Sequence, residues 1–254
     1  MHKFLASSLI IGKPIINVPK CHSTNDFVTE LALKRELMEG GVVVTPCQIK
    51  GRGQRGNSWE SNPGENLTFS VLLQPHFLDI NKQIYLNYIT ALAVTDYLDK
   101  VLSDEASLVK WPNDVFVKGR KISGILIENT LKKNKMDRSV LGIGLNIHQK
   151  EFITSKAISL SMLTGKEYDL ENSLEQLLMG LERRYLQLRN GNEERIKEEY
   201  IKKMYWKDEE HLFKMDDHYK NKGIIRGVDD RGWLEVEIEG KLRQFNFKEI
   251  EYLS

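Results

Sequence analysis

The sequence predicts an α/β body followed by a small all-β region. Two observations carry this. Strand-length runs of β-branched and apolar residues alternate with segments whose apolar side chains recur at helical spacing. After about Tyr205 the helical spacing stops, and four or five short strand-like runs follow, split by turns such as Asp229-Asp230-Arg231-Gly232 and Glu239-Gly240. With 254 residues, 41% hydrophobic and 29% charged, the chain can hold one full-sized core and a smaller one beside it. The expected division is a body over residues 1–205 and a β-barrel over 206–254, small enough to depend on its neighbour for stability.

Along the body, Ser23-Thr24-Asn25-Asp26 is a cluster of N-cap formers ahead of Phe27, Val28, Leu31 and Leu37, with Gly40-Gly41 as the expected stop of an amphipathic helix. Strands are expected at Val42–Thr45 and Leu67–Leu73, and a longer helix near Lys82–Leu102. A β-rich middle follows: Ser107–Trp111, Asp114–Lys118, Ile122–Glu128 and Arg138–Ile147. The lysines of Leu131–Lys135 are expected at a hairpin tip, and Arg138–Ile147 as an edge open to a partner chain or the carrier domain. Two helical stretches come next, one with Leu174 to Leu188 ended by Asn190-Gly191, one with Ile196 to Met204. The last strands are His211–Met215, Gly223–Val228, Gly232–Ile238 and Lys241–Phe247.

Several function classes are excluded by composition and spacing. Net charge is +1, so any anion site must be local rather than a global field. Cys21 and Cys47 show no C-x-x-C and read as free thiols, and the six histidines show no ligand spacing, so no resident metal is expected. No apolar run approaches the roughly 20 residues that span a bilayer. These features point to the cytoplasm. A G-x-S-x-G elbow, a P-loop and the kinase H-R-D and D-F-G motifs are all missing from the sequence.

Four clusters remain that could carry chemistry. Ser23-Thr24-Asn25 has a purely local reading as a helix cap. Gly51-Arg52-Gly53-Gln54-Arg55-Gly56 fits the dinucleotide fingerprint, yet the run from Asn57 to Gly64 is all turn formers where the fingerprint needs a helix. It is therefore a strand-to-strand loop carrying Lys50, Arg52 and Arg55, with Gln48 upstream. Three glycines in six residues make it costly to order, so it is expected to be disordered without ligand. Lys110-Trp111-Pro112-Asn113-Asp114 reads either as a turn or as a charged-aromatic site. Lys121 through Glu128 enters a buried strand with a lysine, a cost offset if the amine faces an anion. Its Gly124, and the glycines of Gly142 through Asn146, suggest close approach of a ligand or another backbone.

Taken together and in this order, the clusters resemble biotin–protein ligases, and the C-terminal strands look like that family's SH3-like domain. The resemblance runs from about Pro19 onward. It implies a class II aminoacyl-tRNA-synthetase-like catalytic domain: a mixed β-sheet flanked by helices. It implies activation of biotin with ATP to biotinyl-5′-AMP, then transfer to a lysine of a biotin carboxyl carrier protein. By resemblance, Arg52 and Lys121 meet the phosphoryl charge; Asp114 is the candidate for orienting the incoming amine or taking its proton. Ser23, Thr24, Asn25, Gln48, Gly53, Gln54, Trp59, Lys121, Gly124 and Leu126 would hold biotin, with Ile125 as a further apolar wall. Arg52, Gly53, Gln54, Arg55, Lys110, Asn113 and Asn146 would hold ATP or the adenylate, with Mg2+ delivered on ATP.

This chain departs from the family at Gln54 and Asn57, where relatives often carry further arginines. About 20 residues precede Ser23, too few for the operator-binding domain of many relatives, so no DNA partner is expected. Monomer and homodimer both stay open. The alternatives are a lipoate or octanoate ligase, favoured less by the glycine-arginine loop and K-W-P-N-D, and a non-catalytic biotin-binding regulator, favoured less by retention of Arg52 and Lys121.

Overall fold

The structure, a computed structural model, describes residues 2–3, 5, 7–103, 105–215, 220–247 and 249–253; the side chains of His2, Lys3 and Arg55 also lie outside this description. The elements are β1 (His2–Lys3), β2 (Ile15–Asn17), α1 (Thr24–Leu33), β3 (Val42–Val44), β4 (Asn66–Leu73) and α2 (Ile84–Val101). Then come β5 (Ser107–Lys110), β6 (Asp114–Val117), β7 (Arg120–Lys132), β8 (Lys135–Asn146), α3 (Leu160–Thr164), α4 (Leu170–Arg189) and α5 (Glu193–Lys202). The chain closes with β9 (Glu210–Met215), β10 (Lys220–Val228), β11 (Leu234–Ile238), β12 (Lys241–Phe245) and β13 (Ile250–Leu253).

Eight strands form one mixed sheet in the order β1-β2-β3-β4-β8-β7-β6-β5. Only β2 and β3 pair in parallel; the other neighbours are antiparallel. The expected edge at Arg138–Ile147 is corrected here. From Ser139 onward β8 is hydrogen-bonded on both sides, to β4 and β7, so it runs through the middle of the sheet. The lysine-rich tip is a hairpin turn as expected, with Lys133 and Asn134 both at positive φ.

Because strand side chains alternate between faces, one residue string builds two environments. Along β4, Leu67, Phe69, Val71 and Leu73 join the main core with α2 and α4. Asn66, Thr68, Ser70 and Leu72 point to the opposite face, where Leu72 packs with Val28 of α1, Val43 and Val140. All eight residues of β4 are buried, so both faces are covered. That second face is where the candidate site lies.

Helix α1 ends earlier than its sequence suggests. It stops at Leu33, Lys34 caps it, and Arg35 takes the left-handed turn at φ 61°. Gly40 instead permits a close approach of two backbones. At φ 82° it lies so near the N-terminal segment that a Cβ there would sit 2.0 Å from the Ile10 carbonyl oxygen. That segment is clamped by the buried Glu182 of α4, whose carboxylate accepts the backbone N–H groups of Leu9, Ile10 and Ile11 at 2.5–3.1 Å. Glu182→Ala strands these donors and is expected to cost about 2–4 kcal/mol in urea unfolding, with Glu182→Gln costing less because one acceptor oxygen remains. Equal stability of Ala and wild type would refute the clamp.

The second sheet has five antiparallel strands in the order β12-β11-β10-β9-β13. Its fifth strand returns beside its first, the SH3-like arrangement. β13 escaped the sequence reading because four residues with one buried position give no periodic signal. The sheet is not packed independently: Phe213, Ile225, Leu234, Val236 and Phe245 share one hydrophobic cluster with α2, α4 and α5. Trp111, between β5 and β6, donates its indole N–H to the Gly232 carbonyl at 2.9 Å, pinning the K-W-P-N-D turn to this sheet.

Candidate active site

Strand register creates the floor. Gly124 of β7 pairs with Gly144 of β8, which pairs with Thr68 of β4; Leu126 pairs with Gly142, which pairs with Ser70. These rows face the α1 side, and their glycines leave a hollow. Side chains fill it, rather than the ligand or backbone that the sequence suggested. A Cβ on Gly144 would sit 2.3 Å from the Trp59 ring, and one on Gly142 would sit 2.3 Å from Asn25 Oδ1. Trp59 thus lies on the floor, its Nε1 buried without a hydrogen-bond partner among the described residues.

Above the floor is a cleft of about 540 Å3. Ser23, Thr24, Asn25 and Gln48 line it, but not as a local helix cap. Ser23 makes no side-chain cap bond. Gln48 Oε1 takes that role, accepting from the Thr24 backbone N–H at 2.8 Å. Ser70 Oγ shares a hydroxyl hydrogen bond with Thr24 Oγ1 at 2.7 Å and bonds Asn25 Oδ1 at 2.6 Å. Asn25 donates through Nδ2 to the Leu126 carbonyl and to Glu128 Oε2, at 3.2 and 2.7 Å. The result is a pre-set row of polar groups on an otherwise apolar wall.

The glycine loop crosses this cleft with one 3-10 turn at Gln54–Gly56 and no α-helix, as its turn formers demand. Arg52, Gly53, Gln54 and Trp59 all line the cleft. Arg52 Nη2 bonds Asp26 Oδ1 at 2.6 Å and Glu128 Oε2 at 2.9 Å. Arg55 was expected to take part through its side chain, which lies outside the described residues.

The charged part of the cleft comes from β5, β6 and β7. Lys121 Nζ pairs with Asp114 Oδ1 at 2.7 Å and lies 5.7 Å from the Trp59 ring centre. Lys110 points its ammonium over the rings of Tyr252 and Phe116, at 4.7 and 5.1 Å. Burial pushes its pKa below the ordinary lysine value, and the nearby Asp114 only partly opposes this. An anion arriving there would oppose that shift and favour the charged form. Asn113 also lines the cleft, though its Nδ2 is committed to the Ile125 carbonyl at 2.6 Å.

Lys121 and Arg52 both line the cleft, each with its own partners: Lys121 pairs with Asp114, and Arg52 with Asp26 and Glu128. Two other expectations meet a different geometry. Asn146 is buried at the end of β8, donating to the Ile158 carbonyl at 3.1 Å, and is not among the cleft-lining residues. Ile125 reaches the cleft, but its side chain belongs to the core on the opposite face.

The sequence reading also missed groups. Phe247, between β12 and β13, and Ile250, Glu251 and Tyr252 of β13 complete the wall, and no local pattern marks them. Thr68 and Ser70 had a usable signal: polar residues at alternate positions of an apolar strand.

A sequence profile described as the Biotin/lipoate A/B protein ligase family matches residues 18–146, slightly more than half of the chain and the part that builds most of this cleft. The chain belongs to that family. Among curated relatives, this member is 28% identical to the "Bifunctional ligase/repressor BirA" of Bacillus spizizenii over 72% of its own length and 57% of the relative's. It thus spans less than two thirds of that relative. It is 28% identical to the "Biotin--[acetyl-CoA-carboxylase] ligase" of Mycobacterium tuberculosis, covering 88% of this chain and 83% of the relative. In structure it is similar to the Aquifex aeolicus biotin protein ligase solved in complex with biotin and ATP. The TM-score is 0.78 with 26% identity, covering 94% of this family member and 99% of the other chain.

Proposed function

We propose that this chain activates biotin with ATP to biotinyl-5′-AMP, releasing pyrophosphate, and passes the biotinyl group to a lysine of a biotin carboxyl carrier protein, forming an amide as the acyl–phosphate bond breaks and AMP and a proton leave. The observation that carries this is one cleft holding both kinds of recognition. A neutral polar row (Ser23, Thr24, Asn25, Gln48) suits a ureido ring, and the half-buried cations Lys110 and Lys121 suit a carboxylate and a phosphate. Family membership and the likeness to a ligase holding biotin and ATP support the same reading.

The chemistry follows from charge. Joining a carboxylate to the α-phosphate sets two anions against each other, so fixed cations there lower the barrier most. Lys121 meets the acid tail and then a phosphate oxygen, as a compact charge that tolerates the change of shape. Lys110 faces the nucleotide, and Asn113 and the loop residues Gly53, Gln54 and Arg55 complete its surroundings. Trp59 and Leu126 wall the valeryl chain, and loop closure keeps water from the adenylate. Arg52 anchors the loop and is the proposed second cation at the phosphoryl centre. In the transfer step Asp114, already holding Lys121, offers its other oxygen to orient the acceptor amine.

No group of three or more His, Cys, Asp or Glu side chains among the described residues could hold a metal. Mg2+ is proposed to arrive on the triphosphate, since it usually binds substrate phosphates with only one or two protein carboxylates. No helix among the described residues is long and apolar enough to cross a membrane. The division at about residue 205 belongs to this proposal, with the second sheet serving as a wall of the nucleotide end. The carrier protein is the proposed macromolecular partner.

Biotin-dependent ATP–pyrophosphate exchange tests the reading. Exchange is expected with biotin, at least about a hundredfold above that with lipoate or octanoate. Exchange driven by lipoate would move the chain to the other branch of its family, and binding of biotin with no exchange would make it a regulator.

A further inference from the structure

Resting on that reading, we propose that Asp26 and Glu128 are positioning residues: they latch the glycine loop through Arg52 and couple its closure to Asn25. Both bonds from Arg52 leave through one atom, Nη2, to carboxylates on two separate fixed elements, α1 and β7. The Glu128 oxygen that takes Arg52 is also the one that takes Asn25 Nδ2. A single carboxylate oxygen therefore joins the glycine loop to the polar row facing the ligand. Nε and Nη1 of Arg52 make no hydrogen bond among the described residues, so the latch uses only one edge of the guanidinium.

The size of the effect decides what such a latch can do. Arg52, Asp26 and Glu128 expose 41%, 58% and 39% of their side chains, so solvent and salt weaken both pairs. Ordering several loop residues, glycines among them, costs more than two such pairs return. The latch therefore acts together with the loop's other anchors, the Ile49 and Lys50 backbone bonds to the Cys21 and His22 carbonyls at 2.9 Å and Trp59 seated on Gly144, which hold the ligand-free loop mostly closed. It raises the closed fraction, and a ligand that fixes Asn25 fixes Glu128 and favours the latched state further.

The test needs no substrate. Trypsin cleavage after Arg55 is followed by mass spectrometry on the ligand-free protein and on Asp26→Asn, Glu128→Gln, Arg52→Gln and the double variant Arg52→Gln/Glu128→Gln. Each single variant is expected to be cut about threefold faster than wild type, since cleavage tracks the open population. The double variant should be cut no faster than Arg52→Gln alone, because the partner is already gone. Wild-type rates in the single variants, or multiplied effects in the double, overturn the latch. Because no biotin or ATP is present, this outcome is independent of the ligase reading, which fails separately if wild type shows no exchange. In the active enzyme, Glu128→Gln should raise the KM for biotin about fivefold with kcat changed less than about twofold. A kcat loss at unchanged KM overturns the coupling to Asn25.

Discussion

Lys121→Ala is expected to slow biotin-dependent pyrophosphate exchange by about 10²–10³-fold, the largest loss from any single side chain in the cleft. The amine is held at 2.7 Å by Asp114, so it is aimed before substrate arrives and spends little on reorganisation. The side chain is about one third exposed, and its removal should change folding stability by less than about 1 kcal/mol. A slow but fully folded variant is therefore the expected result, checked by circular dichroism beside the exchange assay. Lys121→Arg keeps the charge but replaces a point with a rigid fork, and should recover only part of the rate. Exchange within tenfold of wild type in the alanine variant would remove Lys121 from the chemistry.

Gly144→Ala is expected to weaken biotin binding by about 10- to 100-fold and to destabilise the fold by about 1–3 kcal/mol. The new methyl would sit 2.3 Å from the Trp59 ring, and the floor beneath is strand backbone paired on both sides, so the indole must move. Pairing it with Trp59→Ala removes the clash and should restore most of the stability. It should not restore biotin affinity, because the wall goes with the ring. Recovery of both by the double variant would show that Trp59 only fills space. Full affinity in Gly144→Ala alone would show that the hollow has no part in binding.

Much of the body was legible because its signals are local. Helical spacing in Leu174–Leu188 and the β-branched run Val42–Val44 became elements where expected. The failure of the glycine loop to start a helix was readable from the turn formers after it, and the structure has a single 3-10 turn there. Other features depended on neighbours far along the chain. Ser23 looks like a cap, yet Gln48 caps instead, since Ser23 is turned to the cleft. Gly40 looks like a helix stop and is instead a contact with Ile10.

By itself the sequence determined which groups are present: a polar cluster at a helix start, a glycine-rich cationic loop, two lysines entering strands, and glycines spaced to share one strand face. Residue type and period-two spacing are local properties, so they can be read without coordinates. Only the tertiary structure decided who meets whom. Register across β4, β8 and β7 set the glycine floor under Trp59, two carboxylates on separate elements took hold of Arg52, and β13 brought Tyr252 over Lys110. Each of those contacts joins segments tens of residues or more apart, where packing and charge compensation, not local propensity, choose the partner.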